Sequence, residues 1–286
     1  WVISDAKPGH LNQSLGLAEA LVRLKPDLSF EIKPVSDRWR LLTSSQAPKL
    51  IISAGRRTHL WNWLAKLRYG AKNIVLMRPS LPLACFDLAF IPQHDRPAKH
   101  PKVVETQGAI NRMQPGEKIP GSAMILVGGP SKHVNWCSEN ILSHITNILT
   151  LNSDIGFVIS TSRRTPEKLV KALCEVASNH CLKLITPDQV NPNWLPKSLS
   201  ETAVVWVTGD SVSMVYEAMT AGCIVSLIEV PFVCNSRLNA GIVRLIKDGG
   251  LKVGMNYPRK GKFFHSLAES DRIADYALAN LEIDFT

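Results

Sequence analysis

Residues 203–222 read Ala-Val-Val-Trp-Val-Thr-Gly-Asp-Ser-Val-Ser-Met-Val-Tyr-Glu-Ala-Met-Thr-Ala-Gly. The first five are apolar without alternation, as in a strand covered on both faces. Thr208-Gly209-Asp210-Ser211 then makes a glycine turn, and residues 211–220 carry apolar side chains at helical spacing up to the terminating Gly222. Strand, turn and helix start within a few residues are the unit of a parallel α/β layer, which puts a ligand-facing loop at the carboxyl end of the strand. Gly209 would let the backbone approach a ligand. The helix-start amides and the hydroxyls of Ser211 and Ser213 suit a phosphate or nucleoside, with Asp210 in the same turn. Glu217 lies one turn beyond Ser213, where a carboxylate would accept both hydrogen bonds of a ribose diol. The plainer reading keeps Asp210 and Ser211 as helix caps and Glu217 as a solvated side chain.

The same alternation extends in both directions. Strands are expected over 123–127, 155–160, 182–185 and 224–228, and helices over 138–149, 166–178, 236–247 and about 271–281. Towards the start, strands are expected over 1–4, 30–35, 49–54, 73–77 and 87–91, with helices over 11–24 and 59–67. The Gly/Pro/polar stretch 107–122 reads as a linker. The chain is therefore expected to divide into a first domain, 1–120, a second, 121–270, and a C-terminal helical segment, 271–286, whose candidate partner is the first domain. The fold class is α/β: two Rossmann-like domains whose parallel sheets face each other across a cleft, with ligands beyond the carboxyl ends of the strands.

Other loops at those ends add chemistry. Thr161-Ser162-Arg163-Arg164 follows the strand 155–160, and Thr165-Pro166 makes a good helix start. Hydroxyls and guanidinium forks there match a pyrophosphate, whose departure needs its charge neutralised. Gly128-Gly129-Pro130-Ser131-Lys132 could bring amides and a lysine to an anion. In the first half the equivalent edge carries Asp5, Lys7, Gly9, His10 and Gln13. His10 could take a proton from an acceptor hydroxyl. Asp5 is either a rival base or the group that orients the imidazole.

Composition sets the outer limits. The 286 residues are 45% hydrophobic and 20% charged, which excludes disorder, collagen and coiled coil and suffices for two cores. The six cysteines form no Cys-x-x-Cys pair and read as small core hydrophobes in a reducing compartment. No apolar run approaches the ~18–20 residues needed to span a bilayer, and no charged-then-apolar signal segment precedes the first strand, so a soluble or at most peripheral protein is expected. The net charge of +9 is uneven: residues 1–120 carry 18 Lys and Arg against 9 Asp and Glu, whereas residues 121–286 carry 15 of each. A basic first half attracts an anionic polymer, a phosphate-bearing substrate or an acidic lipid surface, or is simply solubilising. Within it, Arg56-Arg57 precedes Leu60, Trp61, Trp63, Leu64 and Leu67, a cationic aromatic helix that is either core or membrane-facing.

Several chemistries drop out. Gly-x-Gly-x-x-Gly, Gly-x-x-x-x-Gly-Lys and Asp-x-Asp are all missing, which disfavours dehydrogenases, epimerases, nucleotide hydrolases and metal-dependent transferases. No metal site and no cofactor are expected. Gly209-Asp210-Ser211 lacks the closing glycine of a hydrolase nucleophile turn. Specific nucleic-acid binding would need a reading helix or exposed aromatic platforms beyond the basic charge, and none is visible.

Three segments together resemble one family: Trp1-Val2-Ile3-Ser4-Asp5-Ala6-Lys7-Pro8-Gly9-His10-Leu11-Asn12-Gln13, Ser160-Thr161-Ser162-Arg163-Arg164-Thr165-Pro166, and Thr208-Gly209-Asp210-Ser211-Val212-Ser213-Met214-Val215-Tyr216-Glu217-Ala218. They are similar to the mitochondrial-fission ELM family and its bacterial relatives, which are described as glycosyltransferases. The family's first motif usually has glycine where this chain has Ala6. The resemblance implies the two-domain GT-B architecture, in which the C-terminal domain holds a nucleotide sugar and the N-terminal domain an acceptor. Bacterial relatives are linked to lipooligosaccharide synthesis, and more distant ones act at the membrane on lipid-linked acceptors. Plant members are adaptors in organelle fission. The leading expectation is a cytoplasmic, metal-independent glycosyltransferase, peripheral on the inner face of a membrane. It would take a nucleoside-diphosphate sugar and an anionic or lipid-linked acceptor. The alternative is a non-catalytic adaptor on the same fold.

Overall fold

A computed structural model describes residues 1–233, 237–247, 249–258 and 267–283. The chain forms two compact units, Trp1–Arg112 with Ala268–Thr286, and Met113–Leu267.

Unit 1 runs β1 (Val2–Ser4), α1 (Pro8–Leu24), β2 (Ile32–Pro34), α2 (Arg38–Thr43), β3 (Leu50–Ala54), α3 (Arg56–Tyr69), β4 (Lys72–Leu76), β5 (Leu88–Pro92) and β6 (Val103–Thr106). All six strands are parallel, in the order β2-β1-β3-β4-β5-β6. Every residue of β3 and β5 is buried, as expected for strands covered on both faces. Pro8 opens α1, where its missing N–H costs nothing. Gly70, in the left-handed conformation, closes α3 with its amide on the Lys66 carbonyl. Leu17 and Leu21 of α1 pack on Val2, Ile52, Ile74 and Phe90.

Unit 2 runs β7 (Ile119–Val127), α4 (Ser138–Leu151), β8 (Gly156–Thr161), α5 (Glu167–Asn179), β9 (Lys183–Ile185), α6 (Trp194–Glu201), β10 (Thr202–Thr208), α7 (Val212–Thr220), β11 (Ile224–Ile228), α8 (Arg237–Lys247) and β12 (Lys252–Val253). Its sheet is also wholly parallel, ordered β12-β11-β10-β7-β8-β9. Trp206, at the centre, stacks against Phe157 at 5.6 Å and donates its indole N–H to the Gly254 carbonyl at 2.9 Å.

The last helix, α9 (Glu269–Asn280), belongs to unit 1. Ile273, Ala274 and Ala277 join the core beneath α1. Glu269 accepts from the Gln107 amide at 2.8 Å, and the Ser270 hydroxyl donates to the Asn111 carbonyl at 2.6 Å.

Some boundaries differ from the sequence reading. The stretch 107–122 is not a free linker, because Ile110 is buried in unit 1, Met113 is buried in unit 2, and β7 begins at Ile119. The strand expected from 123 is longer because an irregularity at Pro120 and Gly121, the latter at φ 75°, keeps Ile119 paired with Thr202. The expected strand 30–35 is only three residues long and turns into a 3-10 helix at Val35. Short α2, α6, β6 and β12 had no periodic signature. The expected helix 236–247 starts at Arg237, and Ser236 and Cys234 lie outside the described residues.

Candidate functional site

Each sheet has one place where the strand order reverses. In unit 1 the chain moves from β1 to β2 on one side and returns to β3 on the other; in unit 2 the reversal falls between β7 and β10. Such switch points open a crevice at the strands' carboxyl ends. The candidate motifs sit there: Asp5 to His10 after β1, Gly128-Gly129 after β7, and Thr208 to Ser213 around the turn after β10.

In unit 2 the loops are tied to one another. Thr208 Oγ1 accepts from the Gly128 amide at 2.7 Å, and Asp210 Oδ2 accepts from the Gly129 amide at 3.0 Å. Arg164 donates to the same Asp210 oxygen at 2.7 Å and to the Gly129 carbonyl at 2.7 Å. The Thr165 hydroxyl donates to the Gly128 carbonyl at 2.6 Å. No room is left for side chains here: a Cβ on Gly128 would lie 2.2 Å from Asp210, and one on Gly129 would lie 2.1 Å from the Arg164 carbonyl oxygen.

These contacts commit several of the expected site groups to the loops themselves. The amides of Gly128 and Gly129 serve loop closure, so they are not free for an anion. Asp210 has a fully buried side chain, held by Arg164 and the Gly129 amide, and does not cap α7. Arg164 is committed to Asp210 and to backbone carbonyls, because a buried carboxylate must be neutralised. Gly209 donates its amide to the Ile228 carbonyl at 2.9 Å, and a Cβ there would meet neighbouring protein atoms only at ordinary contact distance. Ser162 is absorbed within its own turn, its hydroxyl accepting from the Arg164 amide at 3.2 Å. Ser131 accepts from the His133 amide at 3.3 Å.

What remains open forms a coherent set. Ser211 occupies the N-cap of α7 with no side-chain capping bond, and Ser213 is exposed in the first turn. The Arg163 and Lys132 side chains are exposed and have no partner among the described residues. Thr161, at the end of β8, is 5% exposed with an unpartnered hydroxyl. Asp210 Oδ1 is likewise buried without a partner. Glu217 is half-buried, its carboxylate has no partner among the described residues, and burial pushes its pKa up to about 7. The arrangement offers first-turn helix amides, two hydroxyls, a guanidinium and, one turn on, a carboxylate with unused acceptors.

In unit 1, Asp5 and His10 are joined. The Asp5 carboxylate, 2% exposed, accepts from His10 Nδ1 at 3.0 Å and from the Lys7 amide at 3.2 Å. With the proton on Nδ1, Nε2 carries the imidazole's basic lone pair. Gly55, the N-cap of α3, lies under the ring at φ 91°, where a Cβ would stand 2.2 Å from Nδ1. Ala6 takes φ 62°, the left-handed conformation that glycine adopts at less cost. Lys7 and Gly9 are exposed at the start of α1, with open space around Gly9, and the Gln13 amide reaches the Met77 sulfur at 3.4 Å.

Sequence reasoning missed His59. It is 1% exposed, and its Nδ1 accepts from the Ser80 amide at 3.0 Å, so the proton sits on Nε2, which has no partner. Burial, reinforced by nearby His10 and opposed by Asp5, lowers its pKa to about 4. A single histidine at the start of a helix gives no signal in the sequence that it is buried close to His10 and Asp5. Among the described residues, no group of three His, Cys, Asp or Glu side chains converges to hold a metal, and no helix is long and apolar enough to cross a membrane.

The comparisons with known proteins fit this architecture. The family described as mitochondrial fission ELM1 matches residues 8–281. A protein of Rickettsia prowazekii (strain Madrid E), described as uncharacterized, is 25% identical over 291 residues, covering 78% of this chain and 80% of its own. Among solved structures, the UDP-GlcNAc 2-epimerase of Methanocaldococcus jannaschii superposes with a TM-score of 0.57 at 11% identity, covering 97% of this chain and 98% of that one. The S. aureus MnaA-UDP co-structure gives 0.53 at 13% identity, covering 97% and 87%. At these identities the likeness is one of fold: two Rossmann-like units of the GT-B type.

Proposed function

The chain belongs to the mitochondrial fission ELM1 family, and on that premise we propose that it is a metal-independent glycosyltransferase whose second unit binds a nucleoside-diphosphate sugar. The observation that carries this reading is Glu217, a half-buried carboxylate without a partner among the described residues, one turn beyond the uncapped start of α7. A ribose diol donates the two hydrogen bonds that would hold it ionised, while the diphosphate takes the α7 amides, Ser211, Ser213 and Arg163. Proteins solved with the same fold include a complex of S. aureus MnaA with UDP and one of the Methanocaldococcus jannaschii UDP-GlcNAc 2-epimerase with UDP-GlcNAc and UDP, which makes UDP the first nucleotide to try.

In this reading unit 1 takes the acceptor, lipid-linked or part of a lipooligosaccharide, and the Asp5–His10 pair supplies the base. The acceptor oxygen forms its bond to the anomeric carbon as the bond from that carbon to the diphosphate oxygen breaks. Within unit 1 the acceptor proton would pass to His10 Nε2 while Asp5 holds the ring and stabilises the imidazolium; within unit 2 Arg163 and the α7 amides would meet the charge of the diphosphate. Lys7, Gly9 and Gln13 border the acceptor.

Thermal shift against a panel of nucleoside diphosphates and their sugars tests the binding claim, since a ligand of the folded state raises the melting temperature with its concentration. Stabilisation by one nucleotide is expected. A flat response to all of them at millimolar concentration would favour a non-catalytic adaptor.

A further inference from the structure

Helix α3 is turned inside out. Its buried positions are Thr58, His59, Asn62 and Ala65, while Leu60 is 45% and Leu67 61% exposed. A hydrogen-bond network fixes this orientation. Asn62 donates to Ser53 Oγ at 2.8 Å and to the Ile74 carbonyl at 3.0 Å, and its own carbonyl accepts from Asn73 at 2.7 Å. His59 is bound to Ser80, and Thr58 donates to the Gly55 carbonyl at 2.8 Å. With those groups satisfied only inward, rotating the helix to bury its leucines would strand several polar atoms without partners. Leu60 and Leu67, seven residues apart, therefore stand on one outward stripe.

Beside α3 packs α2, whose Leu41 is buried with Trp61 and Tyr69 while Trp39 stands 71% exposed, the most exposed large apolar side chain among the described residues. Neither helix contains an acidic residue. Arg56 and Arg57 are exposed with no carboxylate partner among the described residues, and Arg38 lies over the Trp61 ring at 5.9 Å. Outward leucines, an outward tryptophan and the unpaired Arg56 and Arg57 outweigh the one acid at the start of α2, Asp37, which is paired with Arg40 at 3.2 Å. They match an anionic lipid headgroup region: apolar side chains enter the acyl boundary and guanidinium groups meet phosphates.

We propose that the α2–α3 face of unit 1 docks on the surface of an acidic bilayer, lying on it without crossing it. The proposal concerns unit 1 alone and does not rest on the nucleotide reading of unit 2. Vesicle flotation tests it, with phosphatidylcholine alone and with phosphatidylcholine containing phosphatidylglycerol. The full chain should float with the acidic vesicles and stay behind with the neutral ones. Retention should fall about fivefold for each of Arg56→Glu and Arg57→Glu, and fade as salt rises. Trp39→Ser and the pair Leu60→Ser, Leu67→Ser should each cost about tenfold or more through lost apolar burial. If the leucine pair lowers the melting temperature, Trp39→Ser carries the test. Nucleotide-dependent thermal shift should be the same in all these variants, which separates failure here from failure of the nucleotide site. Equal retention on both vesicle types, flotation indifferent to these substitutions, or sedimentation as a dimer that Trp39→Ser dissociates would overturn the proposal.

Discussion

Arg164 and Asp210 meet at 2.7 Å across the carboxyl end of the unit 2 sheet, joining the loop after β8 to the turn after β10. The carboxylate is fully buried and the guanidinium is 43% exposed, so the pair is a half-solvated clamp. Removing Arg164 leaves a buried anion; removing Asp210 frees the Gly129 amide as well. Arg164→Ala should therefore lower stability by ~1–3 kcal/mol. Asp210→Asn, which keeps an acceptor, should cost less than Asp210→Ala. Denaturant unfolding of the three variants checks the order.

Arg163, the neighbour in sequence, should behave oppositely. Its side chain is exposed and holds no partner among the described residues, so Arg163→Ala should leave unfolding within ~0.5 kcal/mol of the parent. In the proposed site it should weaken a nucleoside diphosphate by ~1.5–3 kcal/mol, the worth of a hydrogen bond to a charged group, and leave nucleoside unaffected. Titration with both ligands makes the comparison.

Glu217 predicts a trade between stability and binding. Burial raises its pKa from 4.5 to about 7, so the folded state holds its proton more tightly than the unfolded state. Stability is then fully favoured below pH 4.5 and declines as pH rises towards 7, where the folded carboxylate ionises. Glu217→Gln should accordingly raise stability at neutral pH by ~1–3 kcal/mol. It should also remove the decline, visible as flat melting temperatures across that window. The ribose contacts require the ionised form, so parent affinity for nucleotide should fall as pH drops below about 7, approaching ~tenfold per pH unit. The Gln variant should show weak, pH-independent binding.

Around His10 the backbone is the sensitive part. Gly55→Ala must place a Cβ 2.2 Å from His10 Nδ1 at φ 91°, displacing the ring from Asp5. It should destabilise the fold by more than ~1 kcal/mol and reduce any transfer activity as strongly as His10→Ala. Ala6→Gly should do the reverse to stability, raising it by ~0.5–1 kcal/mol, because Ala6 sits at φ 62°. Thermal unfolding of the two glycine-site variants reads both signs.

Fold and site were unequally legible in the sequence. Continuous Val/Ile/Leu runs such as 203–207 and 224–228 marked buried parallel strands, and β11 spans the residues its pattern indicated. Two-residue β12 and six-residue α2 lie below the length at which periodicity separates from noise. At the candidate site, residue types pointed to loops at the carboxyl ends of the strands but not to which groups face each other. Arg163 and Arg164 are indistinguishable in sequence, and only the fold turns one into a clamp and leaves the other free. Gly55 and His59 carried no motif, since their importance arises from β3 and α3 passing beneath His10, a contact 45 residues distant along the chain in the case of Gly55.

Binding of a nucleoside diphosphate by unit 2 through Glu217 is measured directly by titration calorimetry at pH 7.5–8, where the carboxylate is mostly ionised. UDP titrated into the parent chain should give saturable heat with one ligand per chain. Glu217→Gln, stable and folded, should weaken that binding by ~tenfold or more. Saturable binding of equal strength in the parent and in Glu217→Gln would contradict the site, and no heat with UDP or any other nucleoside diphosphate would contradict the function.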